Sequence, residues 1–234
     1  MTLDKPLDKI LFFDIETVSE FETLAELKKQ KPKLHKVFLD YIDFFKRRYP
    51  EDGDISPEET YFKRAALVPE FSRVVAASFC FYDTKKELHR TTFTNHNEVE
   101  LLTEIRNLFN RIERLDFYMC GHNIKLFDIP TLGKRFVIND MKPPKIFPIY
   151  NTKPWEVKAI DTKDLWNYNN PYSIGSLDLL CVSMGIESPK DSEVTGENLN
   201  EYYYKTKNLE TIGEYCEKDT VALAHIIKKI FDLK

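Results

Sequence analysis

Asp14 and Glu16 stand two residues apart where the apolar run Ile10-Leu11-Phe12-Phe13 ends. Side chains alternate along a strand, so both carboxylates point to one face. Acidic residues are scarce in strands, and two on one face repel unless a cation lies between them, which makes the pair a metal platform. The ordinary alternative is a strand end opening into solvent, and for an isolated Asp-x-Glu that alternative is the commoner one. Asp128 belongs to a second constellation, Gly121-His122-Asn123-Ile124-Lys125-Leu126-Phe127-Asp128-Ile129-Pro130, where a short strand turns into a helix. Its alternative is a helix N-cap with Phe127 as a hydrophobic staple. Tyr215 and Asp219 lie four apart in Tyr215-Cys216-Glu217-Lys218-Asp219. That spacing stacks a phenol and a carboxylate on one helix face, within reach of a single water. Here a half-buried tyrosine beside a solvated aspartate is the ordinary alternative.

The elements that must position these groups follow from periodicity. The fully apolar run 10–13 predicts a strand buried on both faces. Arg73–Tyr82 and Leu88–Thr94 are β-rich runs joined by Asp83-Thr84-Lys85-Lys86, which predicts an antiparallel hairpin. Leu101, Leu102, Ile105, Leu108, Phe109 and Ile112 recur at helical spacing within 98–112. A short strand over 117–120 and a helix over 129–136 come next, with Pro130 tolerated in the first turn. Residues 141–172 are rich in proline and aromatics and predict a loop around a short strand near 157–160. A helix over 176–184 should stop at Gly185, and a long final helix should start after Asn208 as N-cap. Between residues 19 and 70 the pattern is charged and helical, with Leu24, Leu27, Val37, Leu39, Tyr41, Phe44 and Phe45 among lysines and arginines. This segment reads as a helical insertion in a single domain spanning 1–234.

With 42% hydrophobic residues and only 7 glycines in 234, the chain is neither disordered nor fibrous. Its first residues lack the order of a secretory leader and no long apolar run is present, so a cytoplasmic location away from membranes is expected. Cys80, Cys120, Cys181 and Cys216 form no C-x-x-C pair and are expected as buried thiols. The net charge of −4 argues against binding nucleic acid through overall basicity. Its distribution is uneven: residues 28–48 hold eight Lys or Arg against two Asp, a balance of +6, which leaves −10 for the rest.

Each acidic pattern alone is commonplace, but three occur in order, at strand end, strand-to-helix turn and terminal helix. In that conjunction the chain resembles the DEDD 3'-to-5' exonucleases of the ribonuclease H-like superfamily, in the subtype with tyrosine in the third motif. It is most similar to the proofreading domain of family B DNA polymerases and its stand-alone relatives. The histidine subtype would carry histidine five residues before the last aspartate, where Glu214 stands. The resemblance implies an α/β fold with a mixed central sheet flanked by helices, interrupted after the first strand by the 19–70 insertion. It implies two divalent cations held by Asp14, Glu16, Asp128 and Asp219; an all-oxygen set favours Mg²⁺ or Mn²⁺. Tyr215 would orient the attacking water, since a phenol is a poor base at neutral pH. Thr17, Asn123 and Phe127 would touch the terminal nucleotides of a single-stranded 3' end, DNA or RNA. Trp155, Trp166, Tyr168 or Tyr172 are candidates for base stacking, and Asp161 for an extra acidic group or a helix cap. Two other readings stand beside the enzyme: a catalytically idle nucleic-acid-binding module of the same fold, and a scaffold whose basic insertion grips a polymerase or repair partner.

Overall fold

The computed structural model describes residues 3, 5–148, 152–153, 156–168, 170, 172–188 and 192–233. Strand β1 (Ile10–Ser19) is the middle of a five-stranded sheet ordered β3-β2-β1-β4-β5, with β2 (Ser72–Tyr82), β3 (Leu88–Thr94), β4 (Tyr118–Gly121) and β5 (Ala159–Asp161). The β3, β2 and β1 pairings are antiparallel, whereas β1, β4 and β5 run parallel, so the sheet is mixed.

The first strand runs through both carboxylates, as their alternation requires, and continues to Ser19. Its two edges explain why. On one side β2 stays paired as far as Ser19↔Ser72, with a register shift between Glu16 and Thr17. On the other, β4 pairs only Ile10 to Phe12 before the chain turns away at Gly121. Asp14 and Glu16 therefore lie just past the parting of two parallel strands, at their carboxyl ends, where open α/β sheets form ligand crevices. A bulge beside such a crevice re-aims the strand locally.

Alternation assigns the layers. Leu11, Phe13 and Ile15 face α5 (Glu98–Arg114) and α6 (Asp128–Ile138), packing with Leu101, Ile105, Phe109, Leu132 and Phe136. Ile10 and Phe12 face α10 (Leu209–Ile230), packing with Leu223, Ala224 and Ile227. Asp14 and Glu16 share the parity of Ile10 and Phe12, so they lie on the side of the sheet that α10 covers. Each large apolar side chain fully buried here contributes about 1.5–3 kcal/mol. Asn208 caps α10 by accepting from the Glu210 and Thr211 N–H groups.

The insertion is four helices: α1 (Leu24–Gln30), α2 (Pro32–Asp40), α3 (Ile42–Arg48) and α4 (Pro57–Arg64). They close over their own core of Leu24, Leu27, Phe38, Phe45, Tyr61, Ala65 and Phe71. Val37, Leu39, Tyr41 and Phe44, grouped with the buried positions by sequence, stay exposed. A capping box between Ser56 and Glu59 starts α4. The Thr17 hydroxyl donates to the Ala66 carbonyl at 2.8 Å, and Asn200 bridges Ser19 and the Phe62 carbonyl, fixing the insertion to the end of β1.

Two further helices appear: α7 (Thr162–Asn167), within the proline-rich stretch and capped by Asp161 as one reading of that residue had it, and α9 (Leu199–Thr206), which no pattern marked. Both are short, and α7 begins immediately after β5, so no loop separates two elements for the sequence to mark. Helix α8 (Leu177–Met184) stops at Gly185 in the left-handed conformation, as expected. All four cysteines are buried and free. Among the described residues no helix is long and apolar enough to cross a membrane.

Candidate active site

β1, α6 and α10 bring Asp14, Glu16, Asp128 and Asp219 together. Ligand atoms of Asp14, Glu16 and Cys216 all lie within 4.8 Å of one another. Burial raises the Asp14 carboxyl well above its ordinary range, and Asp128, Asp219 and Glu16 push it further. Glu16 is raised by burial and then by Asp219 and Asp128. Asp128 is lifted to about 7 by burial first, with Asp161 and Asp219 adding repulsion. Asp219 reaches about 7 through burial, although a hydrogen bond from Tyr215 opposes the shift. These mutual influences place the four carboxylates in one neighbourhood.

Asp128 tests whether this neighbourhood suits a cation. It is not an N-cap: Phe127 occupies that position without a side-chain cap bond, and Asp128 is the first helical residue. Its Oδ1 is buried without a hydrogen-bond partner. An unsatisfied buried acceptor costs about 1–3 kcal/mol, and more when charged. A carboxylate oxygen left unpaired beside Asp14, Glu16 and Asp219 suits a positive ligand. The oxygen donors are hard; the one soft neighbour is the Cys216 thiol, which donates towards the Asp14 carbonyl at 3.4 Å.

Tyr215 is buried beside Asp219. Burial raises its phenol first, and Asp219, Glu16 and Asp14 raise it further, so it stays protonated and can donate. The Gly196 main chain beside it opposes the shift slightly, a neighbour that no sequence pattern announced.

The turn carrying the second motif is set by close approach and by Asp161. A Cβ on Gly121 would lie 2.8 Å from the Ile124 side chain and 3.0 Å from the Phe13 carbonyl, so only glycine fits there. Asp161 accepts from the main-chain N–H groups of Asn123 at 2.8 Å, Lys125 at 3.2 Å and Lys163 at 3.0 Å. Its carboxylate therefore holds the turn and caps α7. His122 spans Thr162 and the Gly175 carbonyl, both at 2.9 Å, and ties the turn to the segment before α8.

Thr17 follows Glu16 on β1, with its hydroxyl engaged by Ala66. Asn123 adopts a left-handed backbone, φ 60°, and its side-chain oxygen accepts from Lys163 at 3.3 Å. Phe127 is half-buried against the α5–α6 core. Trp166 packs among α8 and α10, while Tyr168 and Tyr172 are exposed; Trp155 lies outside the described residues.

A family model described as a predicted 3'-5' exonuclease related to the exonuclease domain of PolB matches residues 65–226. The match covers Asp128, Tyr215 and Asp219 and leaves Asp14, Glu16 and α1–α4 outside. Among solved structures, a family B DNA polymerase from the hyperthermophilic archaeon Pyrobaculum calidifontis superposes with TM-score 0.57 at 14% identity, over 97% of this chain and 25% of the polymerase. A structure of exonuclease I aligns with TM-score 0.47 at 14% identity, over 95% of this chain and 42% of that one. This chain thus spans a quarter of the polymerase and less than half of exonuclease I. A search of curated protein sequences found no match. The fold is that of the ribonuclease H-like exonucleases.

Proposed function

The chain belongs to the family of predicted 3'-5' exonucleases related to the exonuclease domain of PolB, and from that membership we propose that it trims single-stranded DNA from the 3' end, releasing nucleoside 5'-monophosphates. Asp14, Glu16, Asp128 and Asp219 hold two divalent cations, Mg²⁺ or Mn²⁺. When bound, such a pair activates the attacking water and offsets charge on the departing 3' oxygen. The observation that carries this reading is the buried, partnerless Asp128 Oδ1 among three mutually repelling carboxylates.

The chain's own residues supply position and proton placement. Tyr215, held protonated by burial and its acidic neighbours, donates a hydrogen bond and does not act as a base. Thr17 and Phe127 adjoin Glu16 and Asp128 along the chain, Asn123 opens the turn before Asp128, and the three contact the last nucleotides. Asp161 keeps Asn123 in place through the turn's N–H groups.

The test is a 5'-labelled single strand incubated with Mg²⁺, Mn²⁺ or chelator, with products resolved by size and released nucleotides identified. A ladder shortening from the 3' end, 5'-monophosphates in solution and no reaction in chelator are expected. Strand binding with full metal occupancy but no cleavage would make the protein an idle binding module. Duplex and RNA substrates alongside define the preference, since the 2'-hydroxyl is what separates RNA from DNA at such a site.

A further inference from the structure

Six cations of the insertion, Lys28, Lys29, Lys33, Lys36, Arg47 and Arg48, are exposed on α1–α3 and make no ion pair among the described residues. Of the eight in this stretch only Lys31 and Lys46 are paired, with Glu20 and Asp54. Exposed among them are Tyr41 at 52% and Phe44 at 45%, whose rings meet edge to face at 6.2 Å. The inner face of the same helices, Leu27, Phe38 and Phe45, is fully used by the core beneath. Phe44 leans edge to face on Phe45 at 5.7 Å, yet both outer rings stay exposed.

From this we infer that the outer face of α1–α3 is a track for the single strand upstream of the 3' end: its cations take phosphates, and Tyr41 and Phe44 stack bases. The inference rests on the exonuclease reading and adds a binding surface outside the part of the chain that the family accounts for, which starts at residue 65. Three observations favour a nucleic acid. Cations interleaved with exposed aromatic rings suit a single strand, because every base offers a face to stack on. The insertion that carries the track leaves β1 at Ser19, three residues or about 10 Å beyond Glu16. Its returning end, at Phe62 and Ala66, is tied to the same strand end through Asn200 and Thr17. Lastly, residues 28–48 carry +6 while the rest carries −10, so the field of the molecule directs a polyanion to this face.

The experiment combines two variants and two substrates. One variant carries Lys33→Glu, Lys36→Glu, Arg47→Glu and Arg48→Glu; the other carries Tyr41→Ala and Phe44→Ala. Anisotropy of a labelled strand of about 16 nucleotides, the upper end of what one single-strand-binding fold covers, is measured against salt with Ca²⁺ in place of the catalytic ions. The charge variant should weaken binding at least tenfold and lower the slope of log K against log salt by roughly 3, since each phosphate contact on a single strand contributes about 0.7. The aromatic variant should weaken binding with little change of slope. Hydrolysis of a p-nitrophenyl nucleotide ester, too short to reach the track, should be unaltered in both variants. Unchanged strand affinity in the charge variant would overturn the inference, as would poly-glutamate displacing the strand at equal charge concentration, which would point to an acidic protein partner. Loss of ester hydrolysis in the unmodified protein would defeat the exonuclease reading while the binding measurement still judged the track.

Discussion

Glu16 and Ser19 are three residues apart on one strand, yet the regions they open onto handle charge in opposite ways. Around Glu16, four carboxylates sit together, each raised by loss of water, and Asp14, Glu16 and Asp128 also by their acidic neighbours. Beyond Ser19, the cations of α1–α3 stand in solvent over a core that never meets them. Surface charges of this kind contribute little to folding. Buried like charges oppose it, and such groups persist where a function needs them. The pocket thus has a thermodynamic signature that the insertion lacks, and variants can read it.

The largest effect should come from Asp14→Ala with Asp219→Ala. Cation stabilisation of a transition state is worth several kcal/mol, which corresponds to about a thousandfold or more in rate. Activity should fall to background in the single-strand assay. Retention of the full rate would show that the acidic pocket is not where the reaction occurs.

Next in size is the linkage of stability to pH and metal. Asp128 and Asp219 have folded pKa values near 7 against an ordinary 3.8, so the folded state holds protons that the unfolded chain has released. Their contribution is therefore fully present below about pH 4 and declines as pH rises towards 7. Metal-free protein should lose stability over that window from these groups, and its Tm should fall. Mn²⁺ binds the ionised forms, so it should raise Tm much more at pH 8 than at pH 5. Scanning calorimetry with chelator and with Mn²⁺ at both pH values measures this, and an Asp128→Asn protein should melt higher than the unmodified one without metal at pH 8. Equal metal shifts at both pH values would dissociate the cation from these carboxylates.

Tyr215→Phe should cost less, roughly 10- to 100-fold in kcat, as suits one positioned proton donor. Stopped-flow single-turnover rates isolate the chemical step from strand binding. A loss as deep as that of the aspartate variant would mean that Tyr215 does more than orient water.

How much of this was legible in the residues depended on the range of the interaction. Asn208 and Gly185 marked their helix ends because capping is local chemistry. The acidic residues could be named in advance because side-chain alternation and helical spacing fix which way they point. That both carboxylates sit on the first strand was legible from alternation, but its continuation to Ser19 was not, because those last residues stay in the sheet through pairing with β2, some sixty residues away. Asp161 was open between a helix cap and an extra acidic group; it caps α7, and its further bonds to the turn at Asn123 and Lys125 lie across the fold, where spacing gives no sign. Within the insertion, a mixed run of apolar and basic residues gave helices but not their inner faces. Only packing separated Phe38 and Phe45 from Phe44 and Tyr41.

The smallest predicted effect tests the other half of the contrast. Neutralising Lys33, Lys36, Arg47 and Arg48 to Gln removes four exposed charges that share no ion pair among the described residues, and surface changes of this sort usually lie within about 0.5 kcal/mol each. Tm of the four-fold variant should stay within about 2 °C of the unmodified protein at low salt, and added salt should narrow the difference, because exposed charges are screened over about 10 Å at 0.1 M. A much lower Tm would show these cations holding the insertion together, and the distinction between charge buried at a cost and charge displayed freely would fail on the insertion's side.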